Sequence, residues 1–475
     1  MLLPWSEIAN GEADRHHGAE VEMVGWMAPA DDADRQAYFL LAADAICCLG
    51  CLPGDPARAI EVFARTPLPL AGDRPLHLKG RFSRLIDDPA GWRYQLRDAR
   101  PAEAVPPALI ERLLSRRGVL AAGAALALAA CSDGKPTTAA AGPKEEAPSE
   151  YDGAARQVLA AGVTIDLHSH AGRVIRHNYP FSDVVGQMQD GSMSVICLAV
   201  VADSPVTRIM PDRRIKAIRN PAPGELYAWS GESFHRAREL IEAQQLGLVT
   251  DPSALQAAPQ RGPAVIMASE GADWLDTAID RLDEAYEKYH LRHLQLTHYR
   301  PNDLGDIQTE PPVHGGLTDF GAAVIRACNR RGVVVDIAHG TYDLVKRAAA
   351  VTSKPLVLSH TSLSARPAPL SRLISADHAR VVAGTGGVIG IWPPHSIFRD
   401  KAALARGMAR MVDVVGVEHV GLGSDMMGLT GPSTFDSYRD LPALAAALLA
   451  TGFSPAETGK LLGGNYARVF AATAA

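Results

Sequence analysis

The sequence predicts a (β/α)₈ TIM barrel over residues 151–475, preceded by a small all-β domain of the OB type over residues 1–105. In the C-terminal part, eight continuous apolar β-type runs alternate with helix-like stretches, which is typical of parallel strands covered on both faces. Eight such strands predict a closed barrel, and metal-ligating residue types stand at the ends of most of them. The runs are 163–168, 193–201, 264–270, 292–298, 333–339, 355–360, 386–392 and 419–425.

Two helix signals support this alternation. Residues 319–330 space their apolar side chains at helical intervals and end in basic residues, which suit a helix C-terminus. Ser454 and Pro455 predict the start of the last helix, because Ser caps helices and Pro is favoured at the first helical position.

Most of the barrel strands are predicted to end in a residue that can bind a metal. A single histidine at a strand end is usually a core residue, but several on different strands of one barrel would meet at its C-terminal face, where active sites lie. We therefore predict an active site formed by His168, Glu270, His298, His339, His360 and Asp425.

Imidazole and carboxylate groups together suit Zn²⁺, with Mn²⁺ or Co²⁺ as alternatives. His168 and His170 are one residue apart, so both should point to one side of a strand end. Glu270 has two oxygens and can bridge two ions, and a two-metal site activates water for hydrolysis. Asp425 is the candidate to take the proton of that water.

The N-terminal domain is predicted from five short β-type runs separated by turns, which favour a small barrel or sandwich. Cys48 and Cys51 form a CxxC pair, but a zinc site would need a second pair of ligands, and only His16 and His17 are available. We predict no chemistry for this domain. The runs are 21–27, 37–43, 59–64, 76–82 and 92–96.

Residues 106–150 are predicted to contain an export signal and a flexible linker. Arg116 and Arg117 precede an Ala/Leu run and Leu-Ala-Ala-Cys131, a pattern that resembles a twin-arginine signal and a lipoprotein box. The run from Gly118 to Ala130 is shorter than the roughly 20 residues of a membrane span. A spanning segment and a buried Ala-rich helix are the alternatives.

This pattern predicts an exported lipoprotein on the periplasmic side, anchored to the membrane through Cys131. The residues after Cys131 are rich in Ser, Thr, Pro and charge, as in a tether. About a hundred residues precede the signal, where a signal would normally begin a chain. They are a domain that remains cytoplasmic, a fused upstream unit, or a stretch ahead of the true start.

Composition narrows the classes of partner. The net charge is −6 and no basic face is evident, so nucleic acid is an unexpected partner. The six cysteines do not form a disulfide framework in a chain of this length, and Cys197 and Cys328 are predicted to be buried thiols.

Between Gly162 and Phe470 the chain contains a set of short segments in a characteristic order: DLHSH, SEGAD, LTHYRPNDLGD, GLTDFG, NRRGVVVDIAH, VLSHTS, VGLGSD and GGNYARVF. In these segments the chain resembles the membrane (renal) dipeptidases, zinc hydrolases on a (β/α)₈ barrel. The resemblance implies a metallo-dipeptidase with two Zn²⁺ ions per chain. The candidate partners are a dipeptide, a lipid bilayer through Cys131 and a second copy of the chain.

The resemblance also implies a role for each site residue. His168, His170 and Glu270 would hold the first metal, and Glu270, His339 and His360 the second. His298 would contact the substrate and the tetrahedral intermediate, and Asp425 would be the acid/base. Arg372, with Arg366 as the alternative, would bind the C-terminal carboxylate of the substrate, for which the planar guanidinium is suited.

Two positions depart from the family pattern. His170 stands where the family has Asp, which removes one negative charge from the first site, and the second carboxylate of a DFDG motif is missing after Asp425. Two other functions therefore remain open. One is a different amidohydrolase reaction, of the lactonase or deaminase type, since HxH is common there, although His298 stands where a bridging Lys would be expected. The other is a metal-poor, catalytically impaired binding lipoprotein.

Overall fold

The structure is a computed structural model of the chain, and it describes residues 1–29, 34–43, 58–71, 74–84, 94–102, 150–210 and 214–475. The described residues fall into two compact units, of which the second runs from Tyr151 to Ala475.

The first unit is a five-stranded closed barrel with the strand order β1-β2-β3-β5-β4, in which only β3 and β5 pair in parallel. All five predicted strands are present, and a small five-stranded barrel is the architecture of the OB type. Its elements are helix α1 (Trp5–Asn10) and strands β1 (Glu20–Pro29), β2 (Arg35–Ala42), β3 (Ala59–Pro69), β4 (Leu76–Arg84) and β5 (Tyr94–Pro101).

The interior of this barrel follows from alternating apolar residues. Met23, Phe39, Ile60 and Leu96 are fully buried in one cluster. Gly25 allows β1 and β2 to approach closely, because a Cβ there would lie 2.5 Å from the carbonyl oxygen of Ala42.

The second unit contains a closed barrel of eight parallel strands in the order β6-β7-β11-β12-β13-β14-β15-β16, with β16 pairing to β6. The predicted eight-stranded barrel is confirmed. The barrel strands are β6 (Ile165–Ser169), β7 (Val195–Val201), β11 (Ala264–Glu270), β12 (Leu291–Gln295), β13 (Val334–Asp336), β14 (Val357–Thr361), β15 (Val388–Ile391) and β16 (Val420–Leu422).

Three short strands lie outside the closed ring. β8 (Thr207–Ile209) and β9 (Ile215–Ala217) form an antiparallel hairpin, and β10 (Gly247–Leu248) pairs in parallel with β11.

The helices cover the barrel and share its apolar core. Both helix signals of the sequence are confirmed: Thr318 caps the helix that begins at Asp319, and Ser454 and Glu457 form a capping box with Pro455 at the first position. The helices are α2 (Asp152–Ala161), α3 (Val185–Gly191), α4 (Glu225–Ala243), α5 (Pro252–Arg261), α6 (Asp280–Lys288), α7 (Asp319–Arg331), α8 (Tyr342–Val351), α9 (Ala376–Gly384), α10 (Lys401–Val415), α11 (Leu441–Ala450), α12 (Pro455–Gly459) and α13 (Asn465–Ala474).

Cys197 and Cys328 are buried free thiols, as predicted. The CxxC pair, the signal with Cys131 and the linker that follows lie outside the described residues. Among the helices that are described, none combines the length and the apolar composition that crossing a membrane requires.

Candidate metal centre

The predicted site residues meet at the C-terminal ends of the barrel strands around the carboxylate of Glu270. The side chains of five histidines point their Nε2 atoms at its two oxygens, and all of these residues are less than a tenth exposed. Oε1 lies 3.4 Å from His168, 3.2 Å from His339 and 3.4 Å from His360. Oε2 lies 3.2 Å from His170 and 3.3 Å from His298.

Two close groups can be distinguished among the ligand-type residues, although His168 shares Oε1 of Glu270 with His339 and His360. In the first half of the metal centre, the Nε2 atoms of His168 and His170 are 3.2 Å apart, and Oδ1 of Asp425 lies 3.5 Å from Nε2 of His170. In the second half, the Nε2 atoms of His339 and His360 are 3.0 Å apart. The residues of the first half lie in or just after strands β6 and β16, and those of the second half lie in or just after strands β13 and β14.

This donor set fits divalent metal ions. Ligands held 2.0–2.1 Å from a tetrahedral ion lie about 3.3 Å from each other, close to the separations within each half. Nδ1 of His170 lies 2.8 Å from the carbonyl oxygen of Ala199 and donates to it when the ring is neutral, which leaves the lone pair of Nε2 facing Glu270. Each half therefore presents imidazole nitrogens and a carboxylate oxygen at the spacing of one coordination sphere.

The charges of the two halves differ. Burial, aided by the positive charge of Arg372, lowers the pKa values of His339 and His360 well below the usual range. Burial also works to lower the pKa of His170, but its hydrogen bonds to Asp425 and Glu270 outweigh this and raise the pKa to about 10. In the absence of an ion, the second half thus offers free lone pairs, whereas the first half holds a proton on His170.

The backbone places two of the site residues beyond their strands. His339 and Asp425 each follow the last strand residue by three positions, and both have positive φ angles, 66° and 51°. Such angles are uncommon outside glycine and cluster at functional sites. Gly428 lies in the turn after Asp425 and leaves room for the site residues. A Cβ at this position would lie 2.0 Å from Oδ1 of Asp425 and 2.5 Å from Cδ2 of His170.

His298 is held by a carboxylate that sequence reasoning missed. Its Nδ1 lies 2.6 Å from Oδ1 of Asp203, which is fully buried, while Nε2 faces Glu270. Burial lowers the pKa of His298, but the negative charges of Asp203 and Glu270 raise it above its usual value overall. The sequence could have indicated this residue, because Asp203 is a polar residue two positions after the end of β7, like the predicted residues at the other strand ends.

Of the two candidate arginines, the structure brings Arg372 to the site. It donates from Nη2 to the carbonyl oxygen of His360 at 3.3 Å and from Nη1 to Gln308 at 3.1 Å, whereas Arg366 is exposed. Tyr299 was also missed: its ring packs edge-on against His298 and His339, with centroids 4.5 and 4.8 Å away, and it hydrogen-bonds Arg372. Burial raises the pKa of Tyr299 to about 12, so its hydroxyl is a donor at neutral pH.

Residues 157–475 match the family of the membrane dipeptidases (peptidase family M19). A dipeptidase of Aspergillus oryzae, aclJ, is 32% identical over 193 residues, which are 39% of this chain and 46% of that protein. This chain thus spans about half the length of that relative.

Solved structures share the fold of the second unit. The probable dipeptidase PvdM of Pseudomonas aeruginosa is 17% identical with a TM-score of 0.57, covering 68% of this chain and 98% of its own. A metallopeptidase of Rhodobacter sphaeroides, liganded with a phosphinate mimic of the dipeptide L-Ala-D-Ala, is 20% identical with a TM-score of 0.56, covering 66% and 99%.

Fold and site together define a (β/α)₈ barrel protein with a metal centre of histidines and carboxylates at its C-terminal face. The family match covers more than half of the chain and contains every residue of that centre. The chain belongs to the membrane dipeptidase family.

Proposed function

We propose that this protein is a metal-dependent dipeptidase that hydrolyses the peptide bond of dipeptides. The observation that carries the proposal is the set of five buried histidines around the carboxylate of Glu270, with Asp425 3.5 Å from Nε2 of His170. Membership of the membrane dipeptidase family supports the same activity.

The cofactor in this proposal is a pair of Zn²⁺ ions. His168, His170 and Glu270 would hold one ion, and Glu270, His339 and His360 the other. Bound divalent ions supply Lewis acidity, which polarises a carbonyl group and lowers the pKa of water. The donor set of buried imidazoles and one shared carboxylate supports zinc over the hard ions Mg²⁺ and Ca²⁺, which prefer oxygen ligands.

The protein residues have separate tasks in this reaction. Asp425 accepts the proton of the attacking water and returns it to the leaving amine, for which a carboxylate next to the metal centre is suited. His298 is oriented by Asp203, whose negative charge raises the pKa of the imidazole, and it donates from Nε2 to the oxygen that becomes negative as the carbonyl is attacked. Both groups are buried, so their interactions act in a medium of lower dielectric constant than water and are stronger for it.

Arg372 is proposed to bind the C-terminal carboxylate of the dipeptide. Its guanidinium lies beside His360 and Tyr299, so a carboxylate bound there would place the preceding peptide bond near the metal centre. The phosphinate mimic of L-Ala-D-Ala bound by the Rhodobacter sphaeroides relative makes that dipeptide a suitable first substrate to test.

The test is hydrolysis of a panel of dipeptides by the full-length chain, first stripped of metal and then supplied with Zn²⁺, Mn²⁺ or Co²⁺. We expect turnover only with added metal and none by an Asp425→Asn variant that still binds metal. Hydrolysis of lactones or deamination without cleavage of any dipeptide would contradict the proposal in favour of another amidohydrolase. Less than one ion per chain, with no turnover, would favour a binding lipoprotein.

For location, we propose export to the periplasmic side and attachment to the membrane through acylated Cys131. The arrangement of Arg116, Arg117, the apolar run and Cys131 supports this. Changing both arginines to Lys should block export, and Cys131→Ala should release the protein from membranes. If both variants fractionate like the parent chain, the proposal is wrong. A homodimer is the assembly we propose to test by light scattering.

A further inference from the structure

Two buried aspartates stand just before the histidines of the metal centre and do not contact Glu270 in any described ion pair or hydrogen bond. Asp166 precedes His168 on strand β6, and Asp336 precedes His339 on strand β13. Both are fully buried. A buried carboxylate is costly unless it is fully hydrogen-bonded, so the partners of these two residues indicate what they do.

Asp166 joins β6 to β16. Its Oδ1 accepts from the backbone N–H of Ser424 at 2.8 Å and from that of His168 at 3.4 Å, and its Oδ2 accepts from the hydroxyls of Ser424 and, at 2.9 Å, Tyr438. Ser424 immediately precedes Asp425. The backbone fixed by Asp166 therefore carries one ligand-type residue on each strand of the first half.

Asp336 joins β13 to β14 in the same way. Its Oδ1 accepts from the backbone N–H of Ala338 at 2.9 Å and from that of Ser359 at 3.1 Å, and its Oδ2 lies 3.1 Å from Nε2 of His293. Ala338 immediately precedes His339, and Ser359 immediately precedes His360. The hydroxyl of Ser359 also lies 2.8 Å from Nδ1 of His360.

The two arrangements are parallel. In each, one carboxylate oxygen accepts the N–H two residues further along the chain and the N–H of a serine in or just after the neighbouring strand. The other oxygen is held by side chains, the hydroxyls of Ser424 and Tyr438 in one case and His293 in the other, and His293 is itself bound to Tyr466 at 2.8 Å. Each aspartate thus links two neighbouring strands at the point where both lead into the metal centre.

We propose that Asp166 and Asp336 are positioning residues, Asp166 for the first half of the metal centre and Asp336 for the second half. Groups that orient metal ligands typically change metal affinity ten- to a hundredfold when they are removed. Because the backbone N–H groups that each aspartate binds lead into the ligands of one half, its loss should weaken mainly one of the two ions. This inference rests on the proposed two-metal function.

The test is titration of the metal-free full-length chain with Zn²⁺ in competition with a chelator. Asp166→Ala and Asp336→Ala should each leave one tight ion, with the other bound about ten- to a hundredfold more weakly. Combining Asp166→Ala with His168→Ala should weaken the first ion further and leave the second ion tight, whereas combining it with His360→Ala should weaken both ions. The reverse pattern is expected for Asp336→Ala.

Conservative variants separate positioning from charge. Asp166→Asn and Asp336→Asn keep an acceptor for the two backbone N–H groups, and the hydroxyls or His293 can accept from the new amide, so both should restore most of the lost affinity. If the Asn variants lose as much affinity as the Ala variants, the carboxylates act through charge and the positioning role is wrong.

Two further controls keep the test decisive. Where an Ala variant fails to fold, a milder variant that removes one donor takes its place. Tyr438→Phe, which removes a donor to Asp166, should weaken only the first ion. His293→Leu, which removes a donor to Asp336, should weaken only the second ion. Asn465→Ala removes buried hydrogen bonds near the other end of β16 and should leave both affinities unchanged.

A parent chain that binds fewer than two ions would contradict the two-metal function. A parent with two ions, and Ala variants that keep both at parental affinity, would contradict only this inference.

Discussion

The first and second halves of the metal centre each place two histidines against Glu270, yet their surroundings differ in charge. His339 and His360 lie next to Arg372 and have lowered pKa values. His170 lies between Glu270 and Asp425, and its pKa is raised to about 10. The residue types alone would make the two halves look equivalent.

The difference shows what surrounds His170, at a position where the resemblance to the family leads us to expect a carboxylate. Asp425 lies 3.5 Å from the imidazole, so a negative charge stays within reach of the first half although no Asp stands at position 170. The raised pKa of His170 and the lowered pKa values of His339 and His360 follow from this difference in neighbouring charge.

The largest effect should follow from Glu270→Gln, which breaks both halves together. The amide offers one neutral oxygen in place of a carboxylate shared by five histidines, so both ions should be lost and activity abolished. Elemental analysis of the purified variant measures this. Retention of two ions would show that Glu270 does not bridge.

Gly428→Ala should damage the first half alone. A Cβ at this position would lie 2.0 Å from Oδ1 of Asp425, so the carboxylate must move, and a shift of about 1 Å in a catalytic group can cost about a hundredfold in rate. Gly384→Ala is the matched control, because nothing lies within 4 Å of its added Cβ. We expect kcat to fall in the first variant and not in the second, with the second-half ion retained in both.

Asp203→Asn should lower kcat by roughly ten- to a hundredfold while metal content stays at the parental level, because His298 loses the partner that orients it and raises its pKa. Steady-state kinetics and metal analysis on the same sample measure both quantities. Loss of metal would mean that His298 is a ligand rather than a substrate contact.

The smallest effect, and the only gain, is expected for His170→Asp. Restoring the carboxylate of the family should tighten the first ion by about tenfold, since it removes the competing proton and adds a negative charge. A Zn²⁺ titration measures this effect and should give affinities for the two ions that are closer to each other than in the parent chain. Weaker binding of the first ion would mean that the site has adapted to histidine.

The barrel was predicted correctly from the sequence, and the six residues predicted at its strand ends lie together in the structure, because both predictions depend on local patterns. His168, Glu270 and His360 each end an apolar run of strand length, and this pattern can be recognised in the sequence without knowledge of what the residue contacts. Asp203 could have been found by the same rule. Asp166 and Asp336 could not, since within a buried strand an aspartate gives no sign of the backbone groups that it binds.

Strand periodicity and the rule that parallel strands present their C-terminal ends on one face thus determined the fold and the general position of the metal centre. Only the tertiary structure decided which residues share a half, that Arg372 rather than Arg366 reaches the site, and that Asp203 holds His298. These contacts join residues far apart along the chain, 95 positions for Asp203 and His298 and 258 for Asp166 and Ser424. These residues come close in space because the barrel closes and brings β16 back to β6. No local sequence pattern encodes that closure.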